Sequence, residues 1–162
     1  MLDEFQLDAV WRDMLAAETR ALYFADLATR VTRRKQWITG ATLFLSSGAA
    51  VSVLAQWQTW VATVAAVAIA GLSAYVISAN LDGAVTTLLK LHMAWSRIQH
   101  DYERLWSHTY SADAERELEA IQAREIEVSE QAAAGAPYKE ALVAQWQERV
   151  NRLHSAESSH AA

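Results

Sequence analysis

The chain contains no cysteine, one proline and five glycines among its 162 residues. The absence of cysteine excludes disulfides, thiolate metal sites and a cysteine nucleophile. Because so few helix breakers are present, the sequence predicts long helices. Charge is absent locally: residues 36–81 contain no Asp, Glu, Lys, Arg or His, although charged residues make up 20% of the chain. Polarity is therefore strongly segregated along the chain.

The charges outside this stretch limit the classes of function. The formal net charge is −5, all of it from residues 82–162, so a globally basic nucleic-acid binder is not supported. We find no phosphate-binding glycine loop and no hydrolase or metalloprotease motif, so an enzyme is not expected. His92, His100 and His108 recur every eight residues and drift around a helix, which argues against one metal-binding face. No cofactor is expected.

The uncharged stretch predicts an all-α membrane protein built on a two-helix transmembrane hairpin. A bilayer core of roughly 30 Å needs about 20 apolar residues per helix, and residues 36–81 hold two such segments. We place the spans at about 37–55 and 60–78, with the polar turn Gln56-Trp57-Gln58-Thr59 between them. The alternative is a buried helical hairpin of a soluble bundle, which would normally have a polar face.

Basic and aromatic residues flank the predicted spans and orient them. By the positive-inside rule, the basic run before the first span places both termini in the cytosol. Tryptophans near the span ends favour the two membrane interfaces. The predicted interface anchors are Arg33, Arg34, Lys35, Trp37, Trp57 and Trp60.

The spans are rich in small and hydroxyl residues. Small residues at spacings of four let helices approach closely in lipid, which predicts packing through Gly48, Ser52, Ala66, Ala70 and Ala74. Thr39, Thr42 and Ser46 share one helix face and are the candidates for lining a pore. Their hydroxyls could instead bond to carbonyls of their own helix. Since two helices cannot enclose a pore, a channel requires a symmetric homo-oligomer.

Long cytosolic helices are expected on both sides of the hairpin. Residues 1–35 form an N-terminal amphipathic helix, residues 82–110 a heptad-like helix, residues 111–134 a charged helix, and residues 135–162 a last helix with a frayed tail. Ser111 or Asp113 is the expected cap of the charged helix. A seam at spacings of three and four predicts contacts between copies, and a small ring such as a tetramer fits its length. The seam comprises Leu88, Leu91, Trp95, Ile98, Tyr102 and Leu105.

Bases and aromatic rings alternate in the second half of the heptad-like helix. Stacking planes beside guanidinium groups suit nucleotides and single strands. The candidate ligand-binding residues are Arg97, His100, Arg104, Trp106 and His108. A purely structural origin of this pattern is the alternative, because neighbouring aromatics already belong to the seam.

The order of these segments resembles the SLATT-domain family of bacterial two-span proteins. The resemblance covers roughly residues 5–110 and rests on the architecture and on the pattern Trp11…Ala21-Leu22-Tyr23…Arg33-Arg34. It implies a gated, homo-oligomeric pore in the bacterial inner membrane that acts as an effector of antiphage defence. It also implies a nucleotide or single-stranded oligonucleotide ligand on the cytosolic helices, and a nucleotidyltransferase-type or sensor partner. The alternative function is a non-conducting membrane adaptor that docks a soluble partner.

Overall fold

The computed structural model describes residues 2–47 and 59–160, apart from the side chains of residues 45, 46, 59–62, 65, 76–78 and 157–160. This part of the chain folds into five helices and contains no strand, which confirms the all-α fold class. The helices are α1 (Glu4–Ser46), α2 (Thr59–Ser78), α3 (Leu81–Ser107), α4 (Ala114–Gly135) and α5 (Glu140–His160).

Helix α1 is a single long helix with a reciprocal N-terminal cap. The Gln6 backbone N–H donates to Asp3 Oδ1 at 2.6 Å, and the Asp3 N–H donates to Gln6 Oε1 at 2.9 Å. This pairing satisfies two N–H groups at the helix start. The helix contains no proline and continues through residue 37, where we expected the first span to begin. The amphipathic and apolar segments therefore form one helix.

The break between α2 and α3 lies at Ala79-Asn80. Asn80 adopts a positive φ of 40°, a conformation that asparagine tolerates better than most residues. Its side-chain Oδ1 accepts a hydrogen bond from the Gly83 N–H at 3.3 Å. Gly83 belongs to the first turn of α3, where a Cβ would come within 2.5 Å of the Asn80 side chain. Asn80 thus ends one helix and caps the next.

Helices α4 and α5 are separated by residues 136–139, which contain the only proline. Asp113 occupies the N-cap position of α4, as expected, but its side chain makes no capping hydrogen bond. Helix α5 continues to His160, into the segment where we expected a frayed tail. Proline lacks an N–H and disfavours helix in the preceding residue, which explains the break at this point.

The helices contribute to two compact units. The bundle unit comprises Met1–Leu27 and Thr87–Ala162, and the apolar unit comprises Ala28–Thr86. The bundle unit has a core to which α1, α3, α4 and α5 all contribute. Its largest fully buried side chains are Trp95, Tyr102, Ile98, Leu105, Ile121, Val10, Val150 and Thr19.

The heptad-like seam of α3 lies in this core. Its six residues, Leu88, Leu91, Trp95, Ile98, Tyr102 and Leu105, are each at most 3% exposed in a single chain. The periodicity correctly identified a buried face, but the assignment of that face to contacts between copies is wrong. Helices of the same chain cover it, so it is not available to a second copy in this conformation.

The described side chains of the apolar unit are mostly exposed. Between residues 29 and 80 none is buried, and Trp37, Phe44 and Val67 are 80%, 72% and 66% exposed. A Cβ added at Gly40 or Gly71 would meet nothing within 4 Å. Among the helices of the described residues, none combines the length and apolarity needed to cross a membrane. The expected turn and the end of the first expected span, residues 48–58, lie outside the described residues.

Candidate functional site: an aromatic cavity in the bundle unit

A cavity of about 570 Å³ opens in the bundle unit between α1, α3, α4 and the chain that leads into α5. Its size lies within the range of about 300–1,000 Å³ that small-molecule sites occupy. Its lining is mainly apolar and aromatic. The lining residues are Arg20, Tyr23, Phe24, Trp95, Ser129, Ala132, Ala133, Ala136, Pro137, Tyr138 and Val143.

Arg20 is the only charged side chain among these lining residues. Its Nη1 donates to Glu125 Oε1 at 2.5 Å, and its guanidinium carbon lies 4.5 Å from the ring centroid of Trp95. A cation over the face of an indole is attracted by the ring quadrupole. Arginine has five N–H donors, so the ion pair with Glu125 leaves others for a ligand. The positive charge itself is already balanced by Glu125.

Besides Arg20, Glu125 interacts with the hydroxyl of Tyr102 and with a second acid, Asp13. Tyr102 donates its hydroxyl to Glu125 Oε2 at 3.0 Å. Burial, and next the charge of Glu125, raise the pKa of Tyr102 well above its ordinary value of 10. Burial and then Glu125 also raise the pKa of Asp13 above its ordinary value of 3.8. The cluster of Arg20, Glu125, Asp13 and Tyr102 therefore contains two acids and one base. A further negatively charged group is disfavoured beside it.

Trp95 carries an unused donor in this region. The residue lines the cavity and is 1% exposed, and its Nε1–H is buried with no hydrogen-bond partner among the described residues. Buried polar groups are nearly always paired, and an unpaired donor costs about 1–3 kcal/mol. Trp95 is a candidate ligand contact because it lines the cavity.

Tyr23 fixes the wall of the cavity that leads into α5. Its hydroxyl donates to the Pro137 carbonyl oxygen at 2.6 Å and accepts from the Lys139 N–H at 3.0 Å. Tyr23 is almost fully buried, so both backbone groups obtain a partner that water does not readily replace. The position of the α4–α5 connection is thereby tied to the cavity.

The ligand candidates chosen from sequence do not line this cavity. Arg97, His100 and Arg104 share an exposed face of α3, and His108 is exposed just after the end of that helix. Trp106 points to another side and contacts Trp11 at a centroid distance of 5.5 Å. Their local contacts are with their own helix: Arg104 pairs with Asp101 at 3.3 Å, and His100 lies 3.4 Å from Glu103. The five residues therefore do not converge on one site, and the expectation that they form one is corrected here.

The cavity residues were missed because they are far apart in sequence. Arg20, Trp95 and Glu125 belong to three different helices, and no local motif joins them. One signal was present: Asp13 and Arg20 are seven residues apart, which puts two charges on the side of α1 that also carries the buried Ala17 and Phe24.

The residues predicted for the apolar unit have mixed outcomes. Thr42 donates its hydroxyl to the Ile38 carbonyl oxygen at 2.9 Å, which agrees with the alternative of hydroxyls bonded to their own helix. Thr39 is exposed, and the side chain of Ser46 is outside the description. Ala66, Ala70 and Ala74 are exposed, so they do not pack against another helix of the same chain. Gly48 and Ser52 lie outside the described residues.

Two of the predicted interface anchors, Arg34 and Lys35, make internal contacts. Lys35 forms an ion pair with Asp82, and the guanidinium of Arg34 lies 5.3 Å from the ring centroid of Tyr75. Arg33 and Trp37 are exposed. Trp57 and the side chain of Trp60 are outside the description. Lys35 and Arg34 thus connect the segment before the first expected span to the far end of α2 and the start of α3.

No group of three or more His, Asp or Glu side chains in the described part of the chain is placed to hold a metal ion. No protein-family model, curated protein or solved structure matches the chain. The site must therefore be interpreted from its own geometry.

Proposed function

We propose that the chain is a membrane-inserted, homo-oligomeric pore whose opening is controlled by a small ligand in the cavity of the bundle unit. The observation that carries this proposal is the contrast between the two units. The bundle unit has a buried apolar core beside a ligand-sized cavity, whereas no described side chain between residues 29 and 80 is buried, and Phe44 and Val67 are exposed.

Membrane insertion would cover this exposed apolar surface. Single exposed apolar residues are ordinary, but a contiguous apolar surface usually marks contact with a partner or a membrane. Residues 36–81 carry no charged side chain or histidine, so a bilayer core would impose no charge burial on them. Residues 48–58 of this uncharged stretch are outside the described residues.

In a pore of several copies, the small residues of α2 would pack against a neighbouring helix, whereas the hydroxyl residues of α1 would face the pore. Exposed Ala66, Ala70 and Ala74 offer a surface on which a neighbouring helix can approach closely. Thr39 and Thr42 are the proposed lining, together with Ser46. A hydroxyl that donates to its own helix, as Thr42 does, still has lone pairs for a passing water or cation.

The cavity favours a planar ligand of low charge. Tyr23, Phe24, Trp95 and Tyr138 provide aromatic rings, and one guanidinium, from Arg20, is available but already balanced. A nucleobase fits this lining through stacking. A triphosphate does not, because its charges would lie near Glu125 with no second base among the lining residues.

The biological setting in this proposal follows the resemblance to the SLATT-domain family. The chain would reside in the bacterial inner membrane with both termini in the cytosol and act as an effector of antiphage defence. A nucleotidyltransferase-type or sensor partner would supply the ligand, and ion flow through the pore would depolarise the membrane.

Ion flux tests the pore. The purified chain is reconstituted into liposomes that contain a potential-sensitive dye, and its oligomeric state is measured in the same preparation. We expect flux that responds to the ligand, and weaker flux from the double variant Thr39→Val/Thr42→Val. A confirmed oligomer that gives no flux, alone or with nucleotides, would contradict the pore and favour the membrane adaptor.

Ligand binding is tested separately with cyclic AMP as a planar monoanion and ATP as a highly charged comparison. Quenching of tryptophan fluorescence is expected with cyclic AMP and at least tenfold weaker binding with ATP. Arg20→Ala and Trp95→Phe should each weaken the binding of cyclic AMP. Arg97→Ala, on the exposed face of α3, is the matched control, and weakening confined to that variant would return the site to that face.

A further inference from the structure

The exposed face of α3 carries a basic stripe. Lys90, Arg97 and Arg104 follow one another at intervals of seven residues, so they lie along one side of the helix. Leu89 and Met93, which are 43% and 53% exposed, lie beside them. Two apolar side chains and three bases thus form one continuous exposed surface, which we call the basic face.

The acids of this region are directed away from the basic face or are already paired. Asp101 is mostly covered and forms ion pairs with Arg104 at 3.3 Å and Arg124 at 2.5 Å. Glu103 borders the basic face on the side of Leu89 and contacts His100. Lys90 and Arg97 therefore determine the charge of the basic face.

The exposed face of α4 has the opposite character. Glu115, Glu119 and Glu130 lie on one side of the helix around Ile126, which is 63% exposed. Arg116 is exposed and borders this stripe, three residues before Glu119, whereas Arg124 is directed towards Asp101 of α3. This surface, which we call the acidic face, therefore carries three acids and is bordered by one base.

We propose that the acidic face of one copy docks on the basic face of the next copy. Leu89 to Arg104 and Glu115 to Glu130 each cover fifteen residue steps, about 22 Å of helix. The two faces thus match in length and are opposite in charge. Leu89 and Met93 of one copy contact Ile126 of its neighbour, and the charged side chains fix the register around them.

A second copy fits these observations better than another partner. A lipid headgroup or a nucleic acid would engage the basic face and leave the acidic face unused, whereas another copy of the chain engages both. Because the two faces are different surfaces, the contact is heterologous and closes into a ring when the rotation allows. This inference rests on the proposed homo-oligomeric pore and assigns its contact between bundle units.

Charge reversal tests the contact in the full-length chain in detergent, with mass measured by light scattering. One variant reverses the basic face (Lys90→Glu/Arg97→Glu), a second reverses the acidic face (Glu119→Lys/Glu130→Lys), and a third combines all four changes. Each single-face variant should dissociate at concentrations at least tenfold higher than the native chain. The combined variant should assemble again because its faces are complementary once more.

The controls separate this contact from misfolding and from the pore itself. Lys139→Glu/Arg152→Glu makes the same change in charge on exposed positions outside both faces and should assemble as the native chain does. Native assembly that survives both reversals, or a folded combined variant that stays apart, would overturn the contact and leave the pore standing. A native chain that is monomeric at every concentration would overturn both.

Discussion

Arg20 is the residue on which the polar part of the cavity depends. It neutralises Glu125, lies over Trp95 and is the only base in the lining. Since its side chain is 42% exposed, solvent screens part of the ion pair. The main cost of removing it is therefore the partly buried Glu125 carboxylate, which would retain only the Tyr102 hydroxyl as a partner.

Replacing Arg20 should reveal this cost in the stability of the chain. We expect Arg20→Ala to lower the free energy of unfolding by about 1–2 kcal/mol because Glu125 loses a charged partner. Arg152→Ala is the control, since the ion pair of Arg152 with Glu148 is exposed and its loss should change stability by less than about 0.5 kcal/mol. Denaturant titration of both variants measures the difference, and equal effects would contradict this role for Arg20.

Asp13 gives the bundle unit a dependence on pH. Burial and Glu125 raise the pKa of Asp13 in the folded chain, so the folded state binds this proton more tightly than the unfolded state. The resulting stabilisation is complete below the ordinary pKa of 3.8 and is lost as the pH rises through the folded-state pKa. Asp13→Asn should therefore raise the melting temperature at pH 7 by a few degrees and by less at pH 4. A gain that is equal at both pH values would contradict the raised pKa.

Helix α5 is held to the bundle largely by polar contacts with α1. Tyr23 bonds to the connection before α5, Trp146 Nε1 donates to Asp26 Oδ2 at 3.2 Å, and His154 Nε2 lies 2.8 Å from Glu18 Oε2. Its buried apolar side chains among the described residues are Leu142 and Val150. An element with few buried apolar contacts opens at lower free energy than the rest of a fold.

Tyr23→Phe should loosen α5 more than the rest of the bundle. The change removes a partner from the Pro137 carbonyl oxygen and from the Lys139 N–H, a local cost of about 1–3 kcal/mol. Hydrogen exchange should speed up in residues 138–156 and stay unchanged in α3. Tyr110→Phe, at a 75% exposed tyrosine, serves as the control. Uniform acceleration across all helices would mean that α5 is not a separate opening unit.

The positions of the helices along the chain were largely predictable because they depend on local sequence patterns. The surfaces against which each helix packs were not predictable. The spacing of Leu88, Leu91 and Ile98 identified the buried face of α3, and Pro137 marked the break before α5. A periodic apolar pattern indicates that one face of a helix is buried. It does not indicate whether the same chain or another copy buries that face. The cavity was not predictable for the same reason, because Arg20 and Glu125 are 105 residues apart.

The long uncharged stretch of the chain, residues 36–81, lies within the apolar unit, and membrane insertion predicts that its exposed apolar side chains are shielded from water. Because the chain has no cysteine, one introduced thiol reports on one position. Val67→Cys and Phe44→Cys probe exposed apolar positions of the apolar unit, and Tyr110→Cys and Glu127→Cys probe exposed positions of the bundle unit.

In liposomes opened by freeze–thaw, so that both faces meet the reagent, a charged maleimide should label Tyr110→Cys and Glu127→Cys within minutes. Val67→Cys and Phe44→Cys should react at least tenfold more slowly, since a charged reagent is excluded from hydrocarbon. After denaturation in sodium dodecyl sulfate all four should react, which controls for the thiols themselves. Equal rates before denaturation would mean that lipid does not cover the apolar unit, and the proposed pore would have to be abandoned together with its membrane location.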